Sequence, residues 1–108
     1  MIHELRIYEA LPGRLPALLK RFETDTVPRM AKHGFAPLGF WTTVIGDSSQ
    51  KLYYILAWAS LEERKAKMRA FGSDPDWLAV RDATEQDGPL VANISNTIMA
   101  PTAFSPIR

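Results

Sequence analysis

Arg6 and Tyr8 stand two residues apart in the run Ile2-His3-Glu4-Leu5-Arg6-Ile7-Tyr8, so in a strand they share one face with Ile2 and Glu4. A guanidinium beside a phenol offers donors for a carboxylate, an enolate or a carbonyl. Tyr54 and Trp58 share a face of the run Leu52 to Trp58, Asn93 and Ser95 share a face near the C-terminus, and Trp41 adds another large ring. Together Arg6, Tyr8, Trp41, Tyr54, Trp58, Asn93 and Ser95 have the make-up of a small-molecule pocket, apolar and aromatic with a few polar groups. Each also has a plainer reading. Arg6 suits a structural ion pair with Glu4 or with a second protomer. A core tyrosine commonly has one satisfied hydroxyl, and Trp41 and Trp58 suit core or dimer contacts. Trp77 suits a packing anchor.

Other chemistries find little here. The chain has no cysteine, which removes disulfides, thiolate nucleophiles, iron–sulfur clusters and zinc ribbons. His3 and His33 are far apart in sequence and make a poor ligand set, so neither a metal site nor a bound cofactor is expected. Ser48, Ser49 and Ser60 read as turn and cap residues, and no G-x-S-x-G is present. Glu62 and Glu63 are adjacent on a helix and do not face each other. Gly34, Gly39 and Gly46 fall at separate boundaries, not in a phosphate loop. The net charge of +1 gives no field to recruit nucleic acid or an acidic membrane, and Lys65, Lys67 and Arg69 read as a solvated helix face. No apolar run approaches the roughly 20 residues of a membrane span. Glu4 and Arg6 interrupt the N-terminal apolar run, which excludes a signal-peptide core there. A cytoplasmic protein without nucleic-acid or membrane partners is expected.

The elements that must position these residues follow from periodicity. Ile2 to Tyr8 reads as a strand ended by Leu11-Pro12-Gly13. Leu15, Leu18, Leu19 and Phe22 then repeat at helical spacing, with Pro16 in the first turn. Pro28 is expected to kink or restart this helix, with Asp25 or Thr26 as the new cap, and Gly34 to stop it. Leu38 to Ser60 reads as two strands joined by the turn Gly46 to Gln50. Ser60-Leu61-Glu62-Glu63 matches a capping box for a helix ending at Gly72. Asp74-Pro75-Asp76 opens a shorter helix, closed by Asp87-Gly88-Pro89, and Leu90 to Met99 is the last strand.

The order βαββαβ predicts an α+β, ferredoxin-like domain over residues 1–108, with helices on one face of a four-stranded antiparallel sheet. Its first and third strands are central. The third has two faces, Leu52/Tyr54/Leu56/Trp58 and Tyr53/Ile55/Ala57, and a single helix layer covers only one. The uncovered face would be an apolar patch of a kind soluble monomers rarely carry. A second copy of the same sheet is the economical cover, giving a homodimer closed into a barrel, with Phe104 and Ile107 of the tail 101–108 reaching across. The polar members Glu4, Arg6, Tyr8, Asn93, Ser95 and Thr97, joined by Tyr54 and Trp58, are placed on this non-helix face, so the pocket is expected inside the barrel.

Glu4-Leu5-Arg6-Ile7-Tyr8, Pro12-Gly13, Gly39-Phe40-Trp41-Thr42-Thr43, Gly46, Tyr54 to Leu61 with Arg64, and Asp74-Pro75-Asp76-Trp77 occur in an order that resembles the NIPSNAP family from residue 2 to about residue 98. The resemblance implies the dimeric α/β-barrel superfamily. It implies a homodimeric protein of unassigned biochemical role that binds a small, partly apolar molecule. That superfamily also contains cofactor-independent monooxygenases of aromatic substrates and small isomerases, so an enzyme acting on a phenol is an alternative, with Arg6, Tyr8 and Tyr54 orienting or deprotonating it. A third reading is a protein-interaction module, since the animal members are mitochondrial and linked to mitophagy signalling and vesicle transport. Many members carry His where this chain has Tyr54, so a role resting on that His is in doubt here.

Overall fold

A computed structural model describes residues 1–108. The strands are β1 (Ile2–Ala10), β2 (Ala36–Thr42), β3 (Lys51–Trp58) and β4 (Val91–Met99). The helices are α1 (Leu15–Arg21), which runs through a π-helical turn (Phe22–Thr26) into α2 (Val27–Lys32), then α3 (Leu61–Gly72) and α4 (Pro75–Thr84). The sheet is antiparallel throughout in the order β2-β3-β1-β4, so β1 and β3 are central, as the ferredoxin-like reading requires.

The core forms where α1, the π turn and α2 lay Leu18, Phe22 and Met30 onto Leu52, Tyr54, Leu56 and Trp58 of β3. Burying a leucine as completely as Leu18, Leu56 or Leu90 stabilises the fold by about 1.5–3 kcal/mol each. Gly13 and Gly34 adopt φ of 78° and 75°, the left-handed conformation that the turns after β1 and α2 require. Asp74 caps α4 by accepting the Asp76 N–H at 2.9 Å. Ser60 Oγ accepts the Glu63 N–H at 3.1 Å, while the Glu63 carboxylate reaches the N–H of Ala59, one residue before the one a standard capping box uses.

Pro28 neither breaks the helix nor restarts it from a side-chain cap. Neither Asp25 nor Thr26 caps α2. Instead the Val27 N–H bonds to the Phe22 carbonyl, five residues back. Proline's ring ordinarily collides with the carbonyl four residues before it, and one wide turn relieves that collision while keeping the chain helical.

The expected face is reversed for Glu4, Arg6, Tyr8, Tyr54 and Trp58, whereas Asn93, Ser95 and Thr97 keep the open face expected of them. Arg6 lies directly opposite Tyr54 on one side and Asn96 on the other, and Tyr8 lies opposite Leu52 and Ile94. All of these are on the side of the sheet that faces the helices, where Leu52 and Tyr54 belong to the core and Ile94, on the edge strand, stays 46% exposed. The opposite face carries Leu5 and Ile7 of β1, Tyr53 and Ile55 of β3, and Trp41 of β2. Hydrophobicity alone would have put Leu5 and Ile7 under the helices. Glu4 and Arg6 lie there instead because their charges are paired.

Candidate functional site

Glu4 is the anchor of the helix-covered face, 0% exposed in the middle of β1. Its Oε1 accepts the Trp58 indole N–H at 3.0 Å and Arg64 Nε at 2.8 Å. Its Oε2 accepts Arg64 Nη2 at 2.9 Å, Asn96 Nδ2 at 2.9 Å and Arg6 Nη1 at 3.0 Å. Burial pushes this carboxyl up, but the hydrogen bonds from Arg64, Asn96, Trp58 and Arg6 outweigh it and hold the pKa at about 2. The carboxylate is therefore ionised and saturated, with no lone pair to spare.

Arg6 is held on three sides. Its Nε donates to the Tyr54 hydroxyl at 2.9 Å and its Nη2 lies 3.4 Å from the Tyr8 hydroxyl, in addition to the bond to Glu4. Burial disfavours its charge, yet the Tyr54 and Tyr8 oxygens more than compensate and its pKa rises. Burial, with Tyr8 beside it, pushes the Tyr54 phenol well above its usual value against the pull of Arg6, so Tyr54 stays neutral. The rings of Tyr8 and Phe22 meet edge to face at 5.3 Å, and Tyr54 stacks on Phe40 at 5.3 Å.

Above these side chains a cavity of about 340 Å³ opens between the sheet and the helices. Arg6, Tyr8 and Tyr54 form its floor, with Val91 and Ile94 at the β4 side. Phe22, Met30 and Phe35, from the α1–α2 helix and its exit, and Met68, Phe71 and Trp77, from α3 and α4, form apolar walls. Arg21, Thr26, Arg81 and Glu85 add polar groups. The volume and the mostly apolar lining are those of a small-molecule site. No group of three or more His, Cys, Asp or Glu side chains is placed to hold a metal ion.

The structure thus brings together Arg6, Tyr8 and Tyr54, but between sheet and helices rather than on the open face. Trp58 shares that face and is fully buried beneath the cavity, where it serves Glu4 instead of lining the wall. Trp41, Asn93 and Ser95 do not join them. They pair with Tyr53, Glu9 and Ile7 and point to the opposite side of the sheet, because residues directly opposite in a ladder share a face. Arg21, Thr26, Arg64 and Asn96 escaped the sequence reading. Arg21 and Asn96 each left a trace, a polar residue inside an apolar stripe: Arg21 between Leu18 and Phe22, and Asn96 between Ile94 and Ile98. Arg64 was legible only as one of the residues that carry the family resemblance, not as a partner of Glu4.

The family model that matches the chain is NIPSNAP, over residues 3–106. Among solved structures, a NIPSNAP-family protein of unknown function from Agrobacterium tumefaciens is 30% identical over 100% of this chain and 94% of its own, with a TM-score of 0.87. A second NIPSNAP-family protein from that organism is 28% identical over 99% of this chain and 98% of its own, again at a TM-score of 0.87. A NIPSNAP-domain protein from Burkholderia xenovorans is 23% identical over 98% and 99%, at 0.84. No curated protein matches the chain significantly.

Proposed function

The chain belongs to the NIPSNAP family, and on that footing we propose that it is a homodimeric binding protein that holds a small, partly apolar molecule in the cavity between its sheet and its helices. The observation that carries this reading is the 340 Å³ cavity itself, walled by aromatic side chains and floored by Arg6, Tyr8 and Tyr54. A core with no ligand to hold gains stability by filling such a space, since every unfilled volume forfeits packing. The dimer is supported by the opposite face, where Leu5, Ile7, Ile55 and Trp41 have no helix over them.

Native mass spectrometry of the purified protein tests both parts. Twice the 12.1 kDa chain mass is expected, with an additional small-molecule mass or with adducts formed on adding bicyclic aromatic compounds. A monomer at micromolar concentration overturns the dimer. A dimer that takes up none of a broad aromatic panel overturns the binding reading.

A second reading, oxygenation or isomerisation of a phenol without a cofactor, is favoured by the two tyrosine hydroxyls beside a cation at the cavity floor. Its base would have to be Glu85, the one carboxylate on the wall, because Glu4 is saturated and Tyr54 is held neutral. Oxygen uptake with an anthrone-like phenol, lost in Glu85→Gln, would establish it. No turnover across a phenol panel would exclude it.

A further inference from the structure

We infer that the molecule bound in this cavity is an aromatic carboxylate, gripped by the unpaired edge of Arg21 with the Thr26 hydroxyl beside it. This rests on the binding reading above and narrows it to a chemical class.

Arg21 is only 6% exposed, yet its guanidinium is poorly served by the chain. Nη1 donates to Thr84 Oγ1 at 3.3 Å and lies 3.6 Å from Glu85 Oε2. Nε is buried without any partner, and no bond from Nη2 to the chain accompanies it. The Nε–Nη2 edge is the planar fork that pairs with both oxygens of a carboxylate. The guanidinium lies over the Trp77 ring, 5.5 Å from its centroid, which orients the fork against an aromatic wall.

Thr26, 4% exposed, also has an unpartnered hydroxyl and also borders the cavity. A helical threonine ordinarily donates to the carbonyl four residues back, as Thr24 does to Lys20 and Thr84 does to Val80, both at 2.8 Å. For Thr26 that carbonyl belongs to Phe22, which in the π turn accepts the Val27 N–H, and the Thr26 hydroxyl makes no bond to it. The wide turn forced by Pro28 thus leaves Thr26 as a spare donor on the same short segment as Arg21. Turns of this kind recur at functional sites.

The remaining wall has nothing to offer these donors. Its cations are Arg6, Arg21 and Arg81, and its single carboxylate, Glu85, is already beside Arg21. Glu4, a buried anion on the same side of the sheet, is saturated. Arg6 is already paired with Glu4 and Arg81 is exposed, so the buried donors left without a partner on this wall are those of Arg21 and Thr26. One guanidinium edge and one hydroxyl match a planar, singly charged carboxylate better than a phosphate dianion, which asks for more donors. Phe22, Phe35, Phe71 and Trp77 then enclose the ring system that carries it.

The test is isothermal titration of the purified protein with 2-naphthoate and with 2-naphthamide, its uncharged isostere, at low salt. The acid is expected to bind about thirtyfold or more tightly than the amide, the value of a charge-assisted pair. Arg21→Met should erase that preference and leave amide binding unchanged. Thr26→Val, nearly isosteric, should weaken acid binding several-fold, and it decides the matter if Arg21→Met does not fold. Equal affinity of the wild type for acid and amide overturns the carboxylate assignment while cavity binding stands. An acid preference that survives both substitutions overturns the roles of Arg21 and Thr26. Binding of neither compound at millimolar concentration overturns the cavity reading and this inference with it.

Discussion

Glu4 keeps its charge inside the core because five N–H groups converge on its two oxygens. That makes it the residue on which acid stability turns. Its pKa is about 2 in the fold against an ordinary 4.5, so the folded state holds the proton less tightly than the unfolded chain. The sign follows: the stabilisation is fully present above about pH 4.5 and is lost as pH falls through about 2. The difference corresponds to about 3 kcal/mol. Urea midpoints measured from pH 6 down to pH 2 should fall steadily below pH 4.5, and Glu4→Gln should be less stable at pH 6 and flatter with pH. Unchanged midpoints in the variant at pH 6 would show that the network does not bear on stability. Trp58→Phe keeps most of the ring but removes one donor to a charged acceptor, and should cost about 1.5–3 kcal/mol in the same measurement. Asp74 adds to the acid sensitivity in the same direction. His33, then Lys32 and the Asp76 N–H hold its pKa far below the usual carboxylate range.

At the scale of elements, the helix that starts at Leu15 shows how local rules bend without failing. Pro28 was legible as an obstacle, and the obstacle is real. What the residue types do not reveal is whether the chain stops or widens its turn, because that depends on whether the apolar stripe on the far side of the proline has somewhere to pack. Met30 does, in the core against β3, so the helix continues. The caps of α3 and α4 were legible outright, since their chemistry lies within a few residues. Ser60→Ala should cost about 1 kcal/mol in a denaturant melt. Asp74→Ala should cost more than Ser60→Ala, because Asp74 also accepts from His33 at 2.7 Å and Lys32 at 3.0 Å, tying α4 to the end of α2. Equal losses would mean that the link between those helices contributes nothing beyond the cap.

Over the whole molecule, the chain is a thin slab of 46 × 36 × 19 Å with a radius of gyration of 14.5 Å, larger than the about 13 Å usual for its length. One layer of helices on one sheet leaves the other side of that sheet without a helix over it. Leu5, Ile7, Tyr53 and Ile55 stand there in the two central strands, and Trp41 stands 52% exposed beside them. Ile55→Lys would place an ammonium in the middle of this face without touching the cavity. If two copies meet there, analytical ultracentrifugation should show the dimer dissociation constant rising about a hundredfold or more, with binding of 2-naphthoate retained. An unchanged dimer would place the contact elsewhere on the molecule. No helix is long and apolar enough to cross a membrane.

By itself the sequence determined the element order, the antiparallel four-stranded sheet, the helix caps and the NIPSNAP likeness, all of which rest on neighbours within a few residues or on motifs read in order. It also singled out Arg6, Tyr8 and Tyr54. Only the tertiary structure decided which way they face. Alternation along β1 separates Glu4, Arg6 and Tyr8 from Leu5 and Ile7 but does not say which set goes under the helices. The choice is made by partners far away in the chain, Trp58, Arg64 and Asn96, whose converging N–H groups offset the desolvation of a buried carboxylate. Arg21 and Thr26 reached the same cavity for a like reason: their unpaired donors are defined by what the fold fails to place beside them, and that is visible only once every neighbour is in position.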